Sequence, residues 1–96
     1  MKLGIRIKEL RESQGLLQRQ LSAQLEIDTP MFSKIERGER RAKREQVLKI
    51  AEILKAKADD LLALWLTDQL LEALTDEEQA LQALKMATKD IKNKKD

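Results

Sequence analysis

Apolar residues recur at the spacing of one helix face in short, separate segments, and this pattern constrains the fold more than any other feature. They stand at i, i+4 and i+7 in the first segment, and comparable stripes follow in three more. Such spacing predicts amphipathic helices. The stripe residues are Leu3, Ile7 and Leu10; Leu17, Leu21 and Leu25; Phe32 and Ile35; and Val47, Ile50, Ala51 and Leu54. Helix-favouring Leu, Ala, Lys, Glu and Gln outnumber Val, Ile and Thr, so the sequence predicts an all-α fold.

Local signals predict where these helices begin and end. Gly15 predicts the end of the first helix, and Gly38 predicts the end of the third. Asp28 is a good N-cap for the third helix, and Pro30 is tolerated in its first turn. We therefore expect connections of about two to four residues between the first three helices and a longer loop after Gly38.

The chain after Ala58 follows a different pattern. Residues Leu61 to Leu66 are six apolar residues in a row, and more apolar positions follow up to Leu74. A helix packed on one side needs only an apolar stripe, so this helix is expected to bury two faces. Thr75 to Glu78 has the T-x-x-E form of a capping box and predicts one more helix. Its lysine-rich end, expected to fray into solvent, contains Lys89, Lys92, Lys94 and Lys95.

Charge is distributed unevenly along the chain. Residues 1–44 carry eleven Lys and Arg against six Asp and Glu, a net charge of +5, whereas residues 45–96 carry eight against eleven, a net charge of −3. Between Asp59 and Glu78 there are seven acids and no base. This asymmetry predicts a polyanionic partner for the amino-terminal half, with the acidic span turned away from it.

Several functional classes are disfavoured by composition. The chain has no Cys and no His, which excludes disulfides, thiolate chemistry and the usual zinc sites. Catalysis would rest on carboxylates or lysines, and there is no Gly-rich phosphate loop, so we predict no enzyme, metal, cofactor or small-molecule effector. No apolar run approaches the roughly 18 residues of a membrane span, and no signal-peptide pattern is present, so a cytoplasmic location is expected.

The stretch from Thr29 to Arg44 combines a short helix with a cluster of cations. At about 100° per residue, the polar residues of the helix share one arc with Pro30, and Met31, Phe32 and Ile35 lie opposite. A slim helix with such an arc can enter a major groove, while the following cations lie over the flanking phosphates. A charge run alone is more often solvated surface, but the helix beside it favours nucleic-acid binding. The arc contains Thr29, Pro30, Ser33, Lys34 and Arg37.

These segments together resemble the lambda-repressor/Cro-type helix-turn-helix family, also called the xenobiotic-response-element family of bacterial and phage regulators. The resemblance rests on LGIRIKELRESQGLLQRQLSAQL, the turn EID, TPMFSKIERG and VLKIAEILKAKADDLL, which cover roughly residues 3–62. It implies a five-helix DNA-binding domain over residues 1–64, which contains the helix-turn-helix. Residues 65–96 would then form a C-terminal helical extension for dimerisation or partner binding.

The resemblance also implies roles for individual residues. Arg11 and Glu36 match a structural ion pair that joins the first helix to the third. The base-reading positions of the recognition helix correspond to Thr29, Pro30, Ser33 and Lys34. The positions that contact the DNA backbone correspond to Gln18, Arg37, Arg40, Arg41, Lys43 and Arg44.

The chain departs from the family pattern at four places. Glu26 replaces the usual glycine of the turn, which should cost about 1 kcal/mol and reshape the turn slightly. The N-cap of the second helix is Leu16 or Leu17, neither of which can cap. Ala42 and Lys43 stand where the family has the pair that opens the fourth helix, and they also form a poor cap. Pro30 offers a base only apolar contact, so direct readout is expected from Thr29, Ser33 and Lys34.

Two functions from different classes agree with this pattern. The first is a sequence-specific double-stranded-DNA-binding transcriptional regulator, a repressor or a restriction-modification controller, that acts as a homodimer on a palindromic operator. The second is an antitoxin-type module whose C-terminal helices bind a partner protein and whose DNA binding is autoregulatory. The surplus apolar surface between Leu61 and Leu74 is the expected dimer contact. The predicted interface residues are Leu62, Trp65, Leu66 and Leu70.

Overall fold

The computed structural model describes residues 1–94 as six α-helices, and no strand occurs among these residues. The all-α prediction is therefore confirmed. The helices are α1 (Lys2–Ser13), α2 (Gln18–Leu25), α3 (Thr29–Glu36), α4 (Arg44–Leu54), α5 (Ala58–Ala73) and α6 (Ala80–Lys94). Within the described range no helix combines the length and apolar character needed to cross a membrane.

Helices α1 to α5 pack around one apolar core, and we call these five helices the body. Helix α5 packs on α1 and α4, and α3 packs on α1 and α2. Gly4 allows the close crossing of α1 and α3, because a Cβ at this position would collide with the carbonyl oxygen of Glu36. The predicted stripes supply most of the core, whose side chains are Leu3, Ile7, Leu21, Phe32, Ile35, Ala42, Val47, Ile50, Ala51, Leu54 and Leu61.

The predicted ends of α1 and α3 are confirmed. The Asp28 carboxylate accepts a hydrogen bond from the Met31 backbone N–H at 2.7 Å, as an N-cap should. Gly15 and Gly38 follow α1 and α3 with φ of 67° and 77°, a left-handed conformation that costs glycine little. The backbone N–H of Gly38 donates to the Ile35 carbonyl at 3.1 Å and closes α3.

Two glutamines compensate for the poor N-caps of α2 and α4. The Gln20 side-chain oxygen accepts a hydrogen bond from the Leu17 backbone N–H at 2.7 Å. The Gln46 side-chain oxygen accepts one from the Lys43 backbone N–H at 2.8 Å. Both glutamines lie three residues beyond the cap, where the second half of a capping box operates without a capping hydroxyl.

Glu26 itself adopts the left-handed conformation after α2. Its φ is 58° and its ψ is 39°, and the following Ile27 N–H donates to the Ser22 carbonyl at 3.1 Å. The expected reshaping of the turn is therefore not seen, and the cost is backbone strain of about 1 kcal/mol at Glu26.

The predicted capping box at Thr75 is wrong. The Thr75 hydroxyl donates to the Leu71 carbonyl at 2.8 Å, so it is bonded back onto the last turn of α5. Helix α6 begins five residues later, at Ala80, after Asp76 in a left-handed conformation with φ of 61°. Helix α6 extends to Lys94, and Lys95 lies outside the described residues, so the predicted fraying of the lysine-rich end stays a prediction.

Helix α5 buries its inner face in the body, and its outer face remains exposed. On the inner face Leu61 is 1% exposed, and the buried Asp68 carboxylate accepts hydrogen bonds from the Lys2 and Leu3 backbone N–H groups at 2.8 and 2.9 Å. Asp68 thus caps the first turn of α1 from another helix. On the outer face Leu66 and Leu70 are exposed, so within the described chain only one of the two predicted faces is buried.

Candidate nucleic-acid interface

Helix α3 presents a polar arc outward because its other side is anchored in the core. Phe32 and Ile35 are 0% and 3% exposed and fix the rotation of the helix. Pro30 and Lys34 are exposed on the opposite side. The other two predicted base-reading residues on this arc, Thr29 and Ser33, are half-buried. The four residues predicted to read bases therefore lie together on one accessible surface.

The Thr29 hydroxyl is partly committed to α2. Its oxygen lies 2.9 Å from the Ser22 hydroxyl, and Ser22 also donates to the Arg19 carbonyl at 3.2 Å. A hydroxyl has one proton, so Thr29 must be the donor to Ser22. The Thr29 oxygen keeps its lone pairs, which can accept a hydrogen bond from an exposed amino group of a base.

Arg37 extends along the outer side of α3 between two partners. One guanidinium nitrogen donates to the Ser33 hydroxyl oxygen at 2.6 Å, and the Nε of Arg37 donates to the Glu39 carboxylate. This hydrogen bond with Arg37 holds the pKa of Glu39 below its ordinary value. Arg37 is thus ordered over Ser33, and its charge is partly balanced by an exposed acid that a phosphate could displace.

A buried ionic network fixes α3 relative to α1 and α2. Arg11 donates to the two Glu36 carboxylate oxygens from Nε at 2.7 Å and from a terminal nitrogen at 3.1 Å. The side chains of Arg11 and Glu36 are 10% and 2% exposed. Glu36 raises the pKa of Arg11, chiefly through these hydrogen bonds. The bidentate geometry fixes both distance and angle between the helices.

Gln18 belongs to the same network. Its amide nitrogen donates to Glu36 at 2.9 Å, so one amide proton is used inside the protein. The second proton of the amide is still available, and Gln18 is only half-buried at the start of α2. Gln18 is therefore positioned to offer a proton to an anion at the surface beside α3.

A comparison with protein families gives an independent result. A model of a helix-turn-helix domain matches residues 2–65, about two thirds of the chain. The chain belongs to this helix-turn-helix domain family. The match is to a DNA-binding regulator class that is typically non-enzymatic. It covers α1 to α4 and the first half of α5, whereas the rest of α5 and all of α6 lie outside it. Comparisons with curated proteins and with solved structures gave no match.

The loop that follows the helix-turn-helix segment is pinned to the body at Ala42. The Trp65 indole N–H donates to the Ala42 carbonyl at 2.8 Å, and the Ala42 side chain is buried. The four cations around this anchor are all exposed: Arg40, Arg41, Lys43 and Arg44. They therefore form a positive surface on the loop and at the first residue of α4, on both sides of the fixed Ala42.

Arg41 is shared with α5. One of its terminal nitrogens donates to the Glu72 carboxylate at 2.8 Å, and both side chains are more than half exposed. Sequence patterns do not indicate this pair, because its members are 31 residues apart and belong to different segments. An exposed pair of this kind has little effect on stability, so Arg41 can exchange Glu72 for a phosphate.

The four residues predicted for the dimer interface differ in how far their side chains are exposed. Leu66 and Leu70 are 49% and 50% exposed. Leu62 and Trp65 are half-buried, and the indole N–H of Trp65 is already bonded within the chain. Trp65 thus has a role that the sequence did not indicate, which is to hold the basic loop in place.

Proposed function

We propose that this protein is a sequence-specific transcriptional regulator that binds double-stranded DNA as a homodimer on a palindromic operator, as lambda-repressor/Cro-type regulators do. Helix α3 would lie in the major groove, where Lys34 and Ser33 contact base edges and Thr29 accepts from a base amino group. Pro30 would contact a thymine methyl group. The backbone of the DNA would be bound by Gln18, Arg37, Arg40, Arg41, Lys43 and Arg44.

The observation that carries this proposal is the outward arc of α3 beside the exposed cations of the pinned loop. Lys34 and Pro30 are exposed, whereas Phe32 and Ile35 are buried, so the rotation of α3 is fixed by its packing. Phosphate contacts set the register of a protein on a duplex, and base contacts discriminate sequence. The arc would supply the base contacts, and the loop that directly follows α3 would supply the phosphate contacts.

The homodimer is part of the proposal because a single short helix reads only a few base pairs. Two copies at half-sites about 34 Å apart would double the recognised sequence and follow the symmetry of a palindrome. The exposed outer face of α5, with Leu66 and Leu70, is the surface proposed for the contact between copies. Repression would then need only that the bound dimer block polymerase.

Binding to duplex DNA by two single variants tests the site. Lys34→Ala should lower affinity for a selected operator by about 1–3 kcal/mol and relax the preference for it over other sequences. Arg41→Ala should weaken binding similarly on all sequences and reduce the salt slope by about one unit. Fluorescence anisotropy at several salt concentrations, with selected and scrambled duplexes, measures both effects.

Lys55→Ala serves as the matched control, since Lys55 is an exposed lysine just after α4 that belongs neither to the proposed DNA interface nor to the proposed contact between copies. It should bind both duplexes like the parent protein. If Lys34→Ala and Arg41→Ala also bind like the parent protein, the assignment of the two surfaces is wrong.

A second candidate is favoured by the exposed apolar residues of α6, among them Leu81 and Ile91, which are 73% and 60% exposed. An antitoxin-type protein would use α5 and α6 to bind a different protein, and its DNA binding would be autoregulatory. Circular dichroism and sedimentation distinguish the two candidates. A purified chain that is fully helical and dimeric supports the first, and a monomer whose C-terminal part is unfolded supports the second.

A further inference from the structure

Helix α6 and the outer face of α5 each expose an apolar stripe with the same spacing. The first, which we call the α5 stripe, consists of Leu62, Leu66, Leu70 and Ala73, of which the last three are exposed and Leu62 is half-buried against the core. The second, which we call the α6 stripe, consists of Ala80, Leu84, Thr88 and Ile91. Both follow the pattern i, i+4, i+8 and i+11, and each is about 17 Å long at the rise of an α-helix. Two stripes of equal length and spacing can pack along their whole length.

Thr88 does not interrupt the α6 stripe. Its hydroxyl donates to the Leu84 carbonyl at 2.7 Å, within the helix. The hydrogen-bonding need of the hydroxyl is thereby met before any partner arrives, and the methyl group is available for apolar contact. Leu81 lies beside the stripe and adds to the apolar surface, since it is 73% exposed.

Charges beside the two stripes are complementary. Helix α5 has four acids and no base; Asp59, Asp60 and Glu72 are exposed, whereas Asp68 is buried on the inner face. The described part of α6 carries four lysines, Lys85, Lys89, Lys92 and Lys94, against the single acid Asp90. Electrostatic complementarity of this kind favours contact between α6 and α5 over contact between two α5 helices, whose acids would repel each other.

An antiparallel arrangement brings the apolar and the charged residues into register together. If Leu84 lies opposite Leu70, then Ile91 lies within one residue of the position opposite Leu62, and Ala80 lies within one residue of the position opposite Ala73. The same register sets Lys94 within one residue of the position opposite Asp59 in the first turn of α5. The basic end of α6 thus meets the acidic start of α5, and the two helix dipoles are antiparallel.

Helix α6 does not pack along the α5 of its own chain in the described residues. Residues 74–79 form hydrogen-bonded turns, in which Glu77 N–H donates to the Leu74 carbonyl and Ala80 N–H donates to the Glu77 carbonyl, both at 3.2 Å. In α6 every described residue is exposed except Ala80 and Leu84, which are half-buried. The α5 stripe is thus left without cover from the chain's own α6.

We propose that α6 docks in antiparallel orientation on the α5 stripe of a second copy of this chain, and that the two copies exchange their α6 helices reciprocally. Exchange of an identical element between protomers gives a closed two-fold dimer and covers all four stripes. The inference rests on the proposed homodimer and specifies which segment of the second copy covers α5.

Cross-linking of single-cysteine variants tests the exchange directly, because the chain has no native cysteine. Leu70→Cys and Leu84→Cys proteins, one of them mass-tagged, are mixed and treated with a bis-maleimide that spans about 8–10 Å, the distance between packed helices. The mixture should give a covalent dimer that contains one copy of each variant, and neither variant alone should do so. A covalent dimer from Leu70→Cys alone would mean that two α5 stripes meet, which overturns the exchange. The double variant, with Leu70→Cys and Leu84→Cys in one chain, is treated in the same way. A cross-link within one chain would mean that α6 folds back onto its own α5, which also overturns the exchange.

Sedimentation of the full chain without DNA provides a second test. Leu84→Asp should raise the dimer dissociation constant roughly 100-fold or more, because the substitution occurs twice in each dimer. Gln82→Asp, which adds the same charge on the other side of α6, should leave the constant within about twofold. Equal effects of the two variants, or a monomeric parent chain at micromolar concentration, would overturn the exchange. Duplex binding is measured separately, so loss of the exchange and loss of the DNA-binding proposal are distinguishable.

Discussion

The body buries most of its apolar residues, whereas α6 leaves its apolar residues exposed. All eleven side chains of the buried core belong to residues 3–61, within the body and its loops. Helix α6 contains no buried residue, and its Leu81, Met86 and Ile91 are at least 60% exposed. A helix whose apolar residues stay in water gains little from being helical, and isolated helices of this length are marginal. The body therefore buries its apolar core within one chain, whereas the apolar residues of α6 are left for the proposed second copy.

The polar groups of the body have partners within the chain, and those of α6 face solvent. The buried Arg11, Glu36 and Asp68 have hydrogen-bond partners in the body, and the described residues contain no buried side-chain polar atom without one. The lysines of α6 face solvent and form no ion pair in the described chain. Directional hydrogen bonds thus fix the geometry of the body, whereas the position of α6 depends on the surface that it contacts.

The strongest test of this contrast is a pair of apolar truncations. Phe32→Ala removes a fully buried ring from the core beneath α3, which should lower the free energy of unfolding by about 3–5 kcal/mol. Met86→Ala removes a comparable volume from α6, where the side chain is 62% exposed, and should change the free energy of unfolding by less than about 0.5 kcal/mol. Urea unfolding followed by circular dichroism measures both. Similar losses for the two variants would mean that α6 is part of the folding unit.

A second test concerns the ionic network in the body. Glu36→Ala should lower the free energy of unfolding by about 3 kcal/mol, because it leaves the Arg11 guanidinium buried with only the Leu16 carbonyl as a partner. It should also weaken DNA binding, since Gln18 loses the carboxylate that positions it. Glu39→Ala is the control, as it breaks an ion pair whose two side chains are more than half exposed. If both variants unfold at the same urea concentration, the network is not buried in solution.

Local sequence signals predicted the features of the body that depend on neighbouring residues. Asp28 and Gly38 bound α3 as expected, and the arc of α3 followed from the apolar spacing of Phe32 and Ile35. The same reasoning failed at Thr75, because a threonine hydroxyl can bond back to the preceding turn as easily as it can cap the next helix. Nothing in a local pattern distinguishes those two bonds.

Contacts between distant segments could not be predicted in this way. Asp68 caps α1 across 65 residues of chain, and Trp65 fixes the basic loop at Ala42 across 23. The acidic span was expected to turn away from the polyanionic partner, and the tryptophan was expected in the dimer interface. Their real partners are backbone groups, which carry no signature in the sequence, so only the packing of α5 against α1 and the loop determines them.

The smallest effect is expected at the exposed contact between the basic loop and α5. Glu72→Gln removes the carboxylate that holds Arg41, and because both side chains are more than half exposed, stability should change by less than about 1 kcal/mol. Arg41 would then be free for a phosphate, and DNA affinity should rise about two- to threefold at low salt, with a smaller rise at high salt. Glu52→Gln removes the same charge from the exposed pair with Lys49 on α4, a pair that includes none of the loop cations, and should raise affinity less. Equal gains for the two variants in anisotropy titrations would mean that net charge matters and the Arg41–Glu72 contact does not. A gain confined to Glu72→Gln would show that α5, which carries the proposed contact between copies, also regulates how strongly the loop holds DNA.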